Sequence, residues 1–297
     1  MYSRIRIDLR SHPGVFIRLI PVLALFTGVF VVGIYSAVRQ SLGFVPGAAI
    51  QTPTLEHFQT LLTDPWFRRS AGFSLRVATW STLVSVVAGV PLAYLMWRLP
   101  ESSRKWGLIY KVPIILPHIA VAFIAMVALT PSGLLASLAY KLRLIASQSE
   151  FPNLIYSGSE LGIVAAFAFK EVPFVVLMCL GVLPGIPVQM LQTASMLGAG
   201  SARIFFRVIL PELFPIINTT CIILFLYSFG SFDIPYLLGG SDPGLLPVYV
   251  YNLYFHGSLP QRPLAMAALV LVFLFALLFT IVYSRIAARL DDGMRKV

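Results

Sequence analysis

Six long apolar runs limit this chain to one kind of fold. Each run has about 20 residues, the length that an α-helix needs to cross the hydrocarbon core of a bilayer. Inside that core every backbone N–H and C=O group must be paired within the protein, so each run is expected to be helical. The pattern predicts an all-α, polytopic membrane protein whose six transmembrane helices lie at residues 16–38, 75–97, 107–129, 161–183, 213–236 and 264–284.

The composition agrees with a location in the membrane. The chain is 58% hydrophobic and only 11% charged, whereas soluble domains have roughly 25% charged residues. Its net charge is +10, but the basic residues are scattered at the ends of the apolar runs and form no patch interleaved with aromatic residues. Membrane lipid is therefore an expected partner, and nucleic acid is not.

The distribution of Lys and Arg predicts the orientation of the chain. Fourteen of the 22 basic residues lie in one set of loops and helix ends, and six lie in the opposite set. Cytoplasmic loops carry the excess of Lys and Arg. Both termini and the loop between the fourth and fifth helices are thus expected in the cytoplasm. The first run is longer than the roughly 7–15 apolar residues of a secretory signal, so it is interpreted as a transmembrane helix.

Two ionisable residues lie inside the fourth predicted helix. Lys170 and Glu171 lie near its middle, where a charge costs at least about 2.5 kcal/mol unless it faces protein or water. Adjacent residues point about 100° apart on a helix, so each of the two needs its own partner or a wet cavity. In the fifth helix, polar residues recur at helical spacing and an acid lies near the end: Thr220, Tyr227, Ser231 and Asp233. Interhelical hydrogen bonding is the alternative interpretation for the hydroxyls.

Two prolines interrupt the third predicted helix. Pro113 and Pro117 each remove a backbone hydrogen bond, and neighbouring groups must replace it. His118 follows them, and no second histidine lies at metal-ligand spacing. It is therefore expected to be a packed residue, and no metal site is predicted.

The segment at residues 190–211 is more polar than its neighbours. Residues 190–197 predict a short helix, followed by a turn at Gly198 and Gly200. Ser201 is then expected to cap a second short helix that Pro211 ends or kinks. A plain connection between two transmembrane helices is the alternative to a surface for a protein partner. Charged and aromatic side chains on the second helix suit such a partner: Arg203, Arg207, Phe205 and Phe206.

The spacing within this segment resembles the EAA loop of binding-protein-dependent ABC importer permeases of the MetI-like type. That motif reads Glu-Ala-Ala, three residues, Gly, nine residues, Ile, one residue, Leu-Pro. Here Gln192, Thr193 and Ala194 occupy the first positions, so two of the three depart from the motif. Four further positions match exactly or closely: Gly198, Val208, Leu210 and Pro211.

The resemblance implies a pore subunit and its partners. Two such subunits, identical or similar, would form the pore, ABC ATPase subunits would dock on the cytoplasmic loops, and a periplasmic or lipid-anchored binding protein would deliver solute. ATP and Mg would bind to the ATPases, and this chain would need no cofactor and would not be an enzyme. The residues expected to couple the chain to the ATPase are Gln192, Thr193, Ala194, Gly198, Gly200, Arg203, Leu210 and Pro211.

The same resemblance implies a multi-pass protein of the bacterial inner membrane. Its expected organisation is a cytoplasmic segment at 1–15, the first transmembrane helix at 16–38, a periplasmic segment at 39–74, a core permease domain at 75–288 with the coupling loop at 190–211, and a cytoplasmic tail at 289–297.

The substrate is suggested by a second motif. The sequence SFGSFDIPYLLGG at residues 228–240 resembles polyamine-type permeases of the polyamine, opine and phosphonate branch. Glu171 and Asp233 would attract an ammonium group, whereas Lys170 favours an anion or a zwitterion. The hypothetical substrate path contains Lys170, Glu171, Tyr227, Ser231 and Asp233.

Two other classes of protein are open on sequence alone. A secondary transporter or channel would work without an ATPase, and the loop at 190–211 would then only connect two helices. A membrane enzyme would need catalytic groups, but the sequence contains no G-x-x-x-x-G-K-[ST], H-E-x-x-H or G-x-S-x-G motif. No catalytic residue is therefore predicted.

Overall fold

The computed structural model describes residues 13–44, 53–100, 109–240 and 244–294. Within these ranges the chain forms helices and no β-strand. The α-helices are α1 (Pro13–Ser41), α2 (Glu56–Thr63), α3 (Pro65–Arg98), α4 (Val112–Ile115), α5 (His118–Leu129), α6 (Leu134–Lys141), α7 (Leu161–Val182), α8 (Val188–Met196), α9 (Ser201–Ile204), α10 (Leu210–Gly230), α11 (Asp233–Leu238), α12 (Leu246–Tyr251) and α13 (Arg262–Met294). Two π-helical turns occupy Phe205–Ile209 and Asn252–His256.

Among the described residues, six helical segments are long and apolar enough to cross a membrane: Arg18–Ser41, Pro65–Arg98, His118–Lys141, Leu161–Gly185, Ser201–Gly230 and Leu259–Leu290. The predicted all-α fold with six transmembrane helices is confirmed, and the cytoplasmic placement of the termini stays a prediction. Parts of the expected terminal segments, residues 1–12 and 295–297, and the expected start of the third helix at residues 107 and 108 lie outside the described residues.

The second transmembrane helix begins ten residues earlier than predicted. The sequence interpretation left residues 65–74 in an irregular external segment, but α3 begins at Pro65. Asp64 caps it, because one carboxylate oxygen accepts a hydrogen bond of 3.0 Å from the N–H of Trp66. Proline is well suited to the first helical position, where its missing N–H would be unpaired in any case. The Asp-Pro pair is thus a helix start.

The third predicted helix is broken at its prolines. Helix α4 ends at Ile115, Leu116 and Pro117 are extended, and α5 begins at His118. Since α5 has only 12 residues, the apolar segment that can span the membrane continues through a turn into α6. Helix α6 is the second part of that segment.

The fifth helix starts earlier and ends earlier than predicted. The helix from Ser201 to Gly230 is continuous through the π-helical turn, so Pro211 does not end it. Proline has no N–H to pair with the carbonyl four residues back. The turn before it shifts the hydrogen bonding, since the N–H of Leu210 bonds to the carbonyl of Phe205, five residues back. At the other end Ser231 is extended, and α11 is a separate short helix.

Small residues allow α3 and α7 to pack closely. Ser81, Ser85, Gly89 and Ala93 are buried at intervals of one helical turn along α3. A Cβ atom added to Gly89 would lie 2.6 Å from the Cβ of Val175 on α7, which no packing arrangement tolerates. Transmembrane helices commonly approach through such small residues. This contact fixes α7, and with it Lys170 and Glu171, against α3.

The chain divides into two compact units. One contains residues 1–61 and 253–273, and the other contains residues 62–252 and 274–297. In the first unit, the ring of Phe30 meets that of Phe273 edge-on at 6.5 Å between centroids. Among the described residues of the second unit, one hydrophobic cluster lies around Phe73 and Phe167, and a second cluster lies around Val175 and Leu213. The candidate sites described below lie wholly within the second unit.

Candidate coupling loop and membrane cavity

Helix α8 and the turn after it project from the second hydrophobic cluster. The turn has the hydrogen bonds of a Schellman motif: Gly198 N–H to Ser195 C=O at 2.9 Å, and Ala199 N–H to Ala194 C=O at 3.0 Å. Gly198 has φ +79°, a conformation that other residues adopt only with strain. The turn predicted from the glycine is therefore present.

Most residues predicted to couple the chain to an ATPase lie at the surface of this loop. Leu191, Ile204 and Phe205 pack against the second cluster and thereby anchor both sides of the turn. The exposed residues of the predicted set are Gln192, Thr193, Gly198, Gly200, Arg203 and Pro211, while Ala194 and Leu210 are half-buried. The hydroxyl of Thr193 bonds to the carbonyl of Gln189 at 2.8 Å within α8. Of the first three motif positions, Gln192 is thus the one whose polar side chain stays available to a partner.

One feature of this loop differs from the sequence analysis, and another was not predicted by it. Gly200 stands at the N-cap of α9 and no side chain caps it, so the prediction that Ser201 caps the helix is wrong. The feature that was not predicted is the exposure of Met196 and Leu197, at 88% and 82%. An exposed apolar pair beside a rigid turn is a feature of protein-binding surfaces.

A cavity of about 260 Å³ lies among α4, α5, α7 and α10. Lys170, Glu171 and Tyr227 of the predicted substrate path line it. His118 lines it as well, with its ring 5.3 Å from that of Tyr227 between centroids. The other lining residues are apolar: Ile114, Phe174, Ile223 and Leu224. The structure thus brings together three of the five predicted path residues and adds a histidine that the sequence analysis left out.

Glu171 is held by hydroxyl groups from two other helices. Its side chain is buried, at 2% exposure. One carboxylate oxygen accepts a hydrogen bond of 2.9 Å from Ser85 on α3, and the other accepts one from Ser228 on α10. These three residues, called here the serine–glutamate clasp, join α3, α7 and α10 beside the cavity. Nothing in the sequence distinguishes these two serines from other small polar residues in apolar runs.

Lys170 finds its partner at the break in the third helix. Its ammonium group donates a hydrogen bond of 2.8 Å to the carbonyl of Leu116. That carbonyl lies between α4 and α5, where Pro117 interrupts the helical hydrogen bonding. The prediction that Lys170 and Glu171 have separate partners is confirmed.

Ser231 and Asp233 do not line the cavity. Ser231 lies at the extended end of α10, and Asp233 is exposed at the start of α11. Asp233 still lies within electrostatic range of His118 and Tyr227. Thr220 is buried and bonds to the carbonyl of Ile216 at 2.7 Å. The predicted polar stripe on the fifth helix is thus not a single continuous lining.

The N-terminal part of α3 forms polar contacts with two other segments. The second oxygen of Asp64 accepts a hydrogen bond of 2.7 Å from the hydroxyl of Tyr249 on α12. Burial, this hydrogen bond and the negative charge of Asp64 raise the pKa of Tyr249 above its usual value. Further along α3, Arg76 forms an ion pair with Glu160 at 3.4 Å, just before α7.

A model of one protein family matches residues 85–296, which include the cavity and the loop. The family is described as "Binding-protein-dependent transport system inner membrane component", and the chain belongs to it. The molybdenum transport system permease protein ModB of Azotobacter vinelandii is 28% identical over 217 residues, which cover 71% of this chain and 91% of the relative. The spermidine/putrescine permease protein PotB of Haemophilus influenzae is 25% identical over 192 residues, covering 63% of this chain and 64% of the relative.

Solved structures show the same fold. A chain of a bacterial alginate ABC transporter, in complex with an alginate pentasaccharide-bound periplasmic protein, superposes with a TM-score of 0.78 at 19% identity and covers 97% of this chain and 99% of its own. A chain of the methionine ABC transporter MetNI superposes with a TM-score of 0.53 at 18% identity and covers 80% of this chain and 98% of its own. The chain is therefore an ABC importer permease subunit with the MetI-like fold, a multi-pass protein of the inner membrane.

Proposed function

We propose that this chain forms half of a pore that carries a small solute into the cytoplasm, driven by ATP hydrolysis on partner ATPase subunits. The observation that supports this most strongly is the rigid, exposed turn at Gly198 in a chain of this family. It presents Gln192, Met196 and Leu197 to a partner while its flanks are anchored in the second cluster.

The connectivity of the loop supports a coupling role. It joins α7 to the continuous helix from Ser201 to Gly230, and both helices contribute to the cavity and to the serine–glutamate clasp. Movement of the loop on an ATPase would thus be passed to Glu171 and Tyr227 through helices. A contact of equal strength in two conformations does not shift the equilibrium between them. The loop must therefore contact the ATPase differently before and after hydrolysis.

The proposed assembly contains a second permease subunit, identical or similar, two ATPases that bind ATP and Mg, and a periplasmic or lipid-anchored binding protein. The alginate transporter, which has the same fold, was solved with a periplasmic protein. The excess of basic residues supports a cytoplasmic position for the termini and for the coupling loop. If the second permease is a similar and not an identical chain, it would carry the standard glutamate that Gln192 replaces here.

The proposed solute carries an amine or a phosphonate-type acid. The resemblance of residues 228–240 to polyamine-type permeases supports this class, as does similarity to PotB, which is named for spermidine and putrescine. Other relatives are named for molybdenum and maltose, so the class rests on the residues of this chain. Lys170, Glu171 and Tyr227 would line the path, with Ser231 and Asp233 beyond the end of α10.

Affinity purification in mild detergent from the native membrane, followed by mass spectrometry, tests this function. We expect an ATPase in near-equal amount to the tagged chain. Gly198→Trp should remove it and abolish uptake while the chain remains inserted, because the bulky ring and the strained backbone displace the docking surface. Leu144→Trp, at a position that is 74% exposed and far from the loop in sequence, is the control and should retain the ATPase. A chain that purifies alone or only with itself would contradict the proposal and favour a secondary transporter or channel.

A further inference from the structure

The cavity at Lys170 has the size of a small solute. Its volume is about 260 Å³, and one water occupies about 30 Å³ of liquid, so it holds a ligand equivalent to about nine waters. Lys170 and Glu171 are near the middle of α7, which has 22 residues. At about 1.5 Å per residue the cavity lies roughly halfway along this transmembrane helix. A solute that crosses beside α7 passes it.

Glu171 contributes little free hydrogen-bonding capacity to this cavity. Both of its oxygens already accept hydroxyl groups, from Ser85 and from Ser228. The side chain is almost fully buried and is directed into the clasp between α3 and α10. Its charge offsets that of Lys170, but its place in the clasp makes it a positioning residue.

Lys170 retains unused donors. An ammonium group has three N–H donors and no acceptor, and one of the three is used by the carbonyl of Leu116. Among the described residues, the ion pair that the structure contains joins Arg76 and Glu160. No carboxylate of these residues therefore lies within ion-pair distance of Lys170. Two N–H donors of the ammonium group thus remain beside the cavity.

Tyr227 adds a hydroxyl group on α10, and its ring lies beside that of His118 on α5. Its oxygen is buried and makes no hydrogen bond of standard geometry with a described residue, although Ser231, four residues later, interacts with it. Because the hydroxyl has no hydrogen bond of standard geometry among the described residues, a ligand acceptor would remove the cost of burying an unpaired donor. His118 supplies a ring N–H next to it.

We infer that this cavity binds the oxyanion of the transported solute, and that Lys170 and Tyr227 determine the specificity for it. Lys170, Tyr227 and His118 each offer a hydrogen-bond donor, whereas the carboxylate of Glu171 is almost fully buried against its two serines. A phosphonate fits this set, since its oxygens accept from an ammonium, a hydroxyl and an imidazole at once. A diamine lacks an acceptor for any of them. This inference rests on the proposed function and narrows its solute to the acid-bearing members.

Thermal stabilisation of the purified full complex in nanodiscs tests the inference, with 2-aminoethylphosphonate and putrescine as probes. The two probes share a primary amine and differ in whether the other end is an acid or an amine. The phosphonate should raise the Tm in a concentration-dependent way, and putrescine should not. Lys170→Met should weaken the apparent affinity for the phosphonate by about tenfold or more, and Tyr227→Phe by a few fold. Lys141→Met and Tyr140→Phe, at exposed positions, are the matched controls and should bind as wild type.

For each variant, the Tm with the probe is compared with the Tm of the same variant without it. A change in basal stability is therefore not mistaken for a change in binding. Stabilisation by putrescine equal to that by the phosphonate, undiminished phosphonate binding in Lys170→Met, or no shift with the phosphonate would each overturn the inference. The same preparation distinguishes a failure of this inference from a failure of the proposed function. If the ATPase is present and hydrolyses ATP but the phosphonate has no effect, only the inference fails. If no ATPase is present, the proposed function fails.

Discussion

The carboxylate of Glu171 accepts a hydrogen bond of 2.9 Å from the hydroxyl of Ser85, which lies 86 positions earlier in the chain. Ser228, 57 positions later, donates to the other oxygen. A buried carboxylate in an apolar helix is costly when it has no partners, and here the partners come from both neighbouring helices. The clasp therefore holds α3, α7 and α10 in one arrangement beside the cavity.

Ser85→Ala should lower the thermal stability of the complex. It leaves one oxygen of a buried carboxylate without its donor, which costs about 1.5–3 kcal/mol and should reduce the Tm by several degrees. Thr79→Ala is the matched control, since its hydroxyl bonds only to the carbonyl of Leu75 on the exposed side of the same helix. Equal Tm values for the two variants in a fluorescence melting experiment would contradict a structural role for the clasp.

The exposed apolar pair on the coupling loop gives a second prediction. Leu197→Ser should weaken ATPase association by about tenfold or more, because an apolar side chain buried at an interface contributes roughly 1.5–3 kcal/mol. The fraction of ATPase retained on the tagged chain during washing measures this. Leu144→Ser removes a similarly exposed leucine outside the loop and should leave retention unchanged. If both variants retain the ATPase as wild type does, Leu197 is not part of the docking surface.

Hydropathy was sufficient to predict the number and nature of the membrane helices, because the bilayer permits few alternatives. The turn at Gly198 was also predictable, since its left-handed backbone calls for glycine. Separate partners for Lys170 and Glu171 followed from helical geometry alone. These features depend on local sequence or on the solvent, and both can be read without knowing which helices are neighbours.

Features that depend on neighbouring helices were not predictable in this way. Ser85 and Ser228 became important only when packing placed them against Glu171, and His118 became a cavity residue only through the ring of Tyr227. The start of the fifth helix was misjudged for a different reason. A proline usually ends a helix, but the π-helical turn before Pro211 removes the conflict, and the pattern of residues gives no sign of it.

The hydrogen bond between Asp64 and Tyr249 predicts a pH dependence of stability. The pKa of Tyr249 is raised above its ordinary value of 10.0, so the folded chain keeps the phenol proton at a pH at which the unfolded chain loses it. This contribution is fully present below about pH 10 and is lost as the pH rises through the folded-state pKa. Tyr249→Phe should therefore show a lower Tm at pH 8 and a smaller decrease between pH 9 and pH 11 than wild type. Tyr140→Phe, which removes an exposed phenol, should follow the wild-type curve. Parallel curves for Tyr249→Phe and wild type would show that the pair contributes nothing.

A variant of Asp233 tests whether the amine of the solute is recognised apart from its acid. It is exposed at the start of α11, within electrostatic range of the cavity residues His118 and Tyr227, and is available to an ammonium group before the acid of the same solute reaches Lys170. Asp233→Asn should thus reduce uptake of 2-aminoethylphosphonate by several fold and leave uptake of ethylphosphonate, which has no amine, unchanged. Proteoliposomes that contain the full complex and its binding protein measure both rates. Glu171→Gln, in contrast, should alter the Tm more than the preference between the two solutes, because Glu171 is occupied by its serines. If neither variant changes the uptake of an amine-bearing solute, the acidic residues of this chain do not form part of its path.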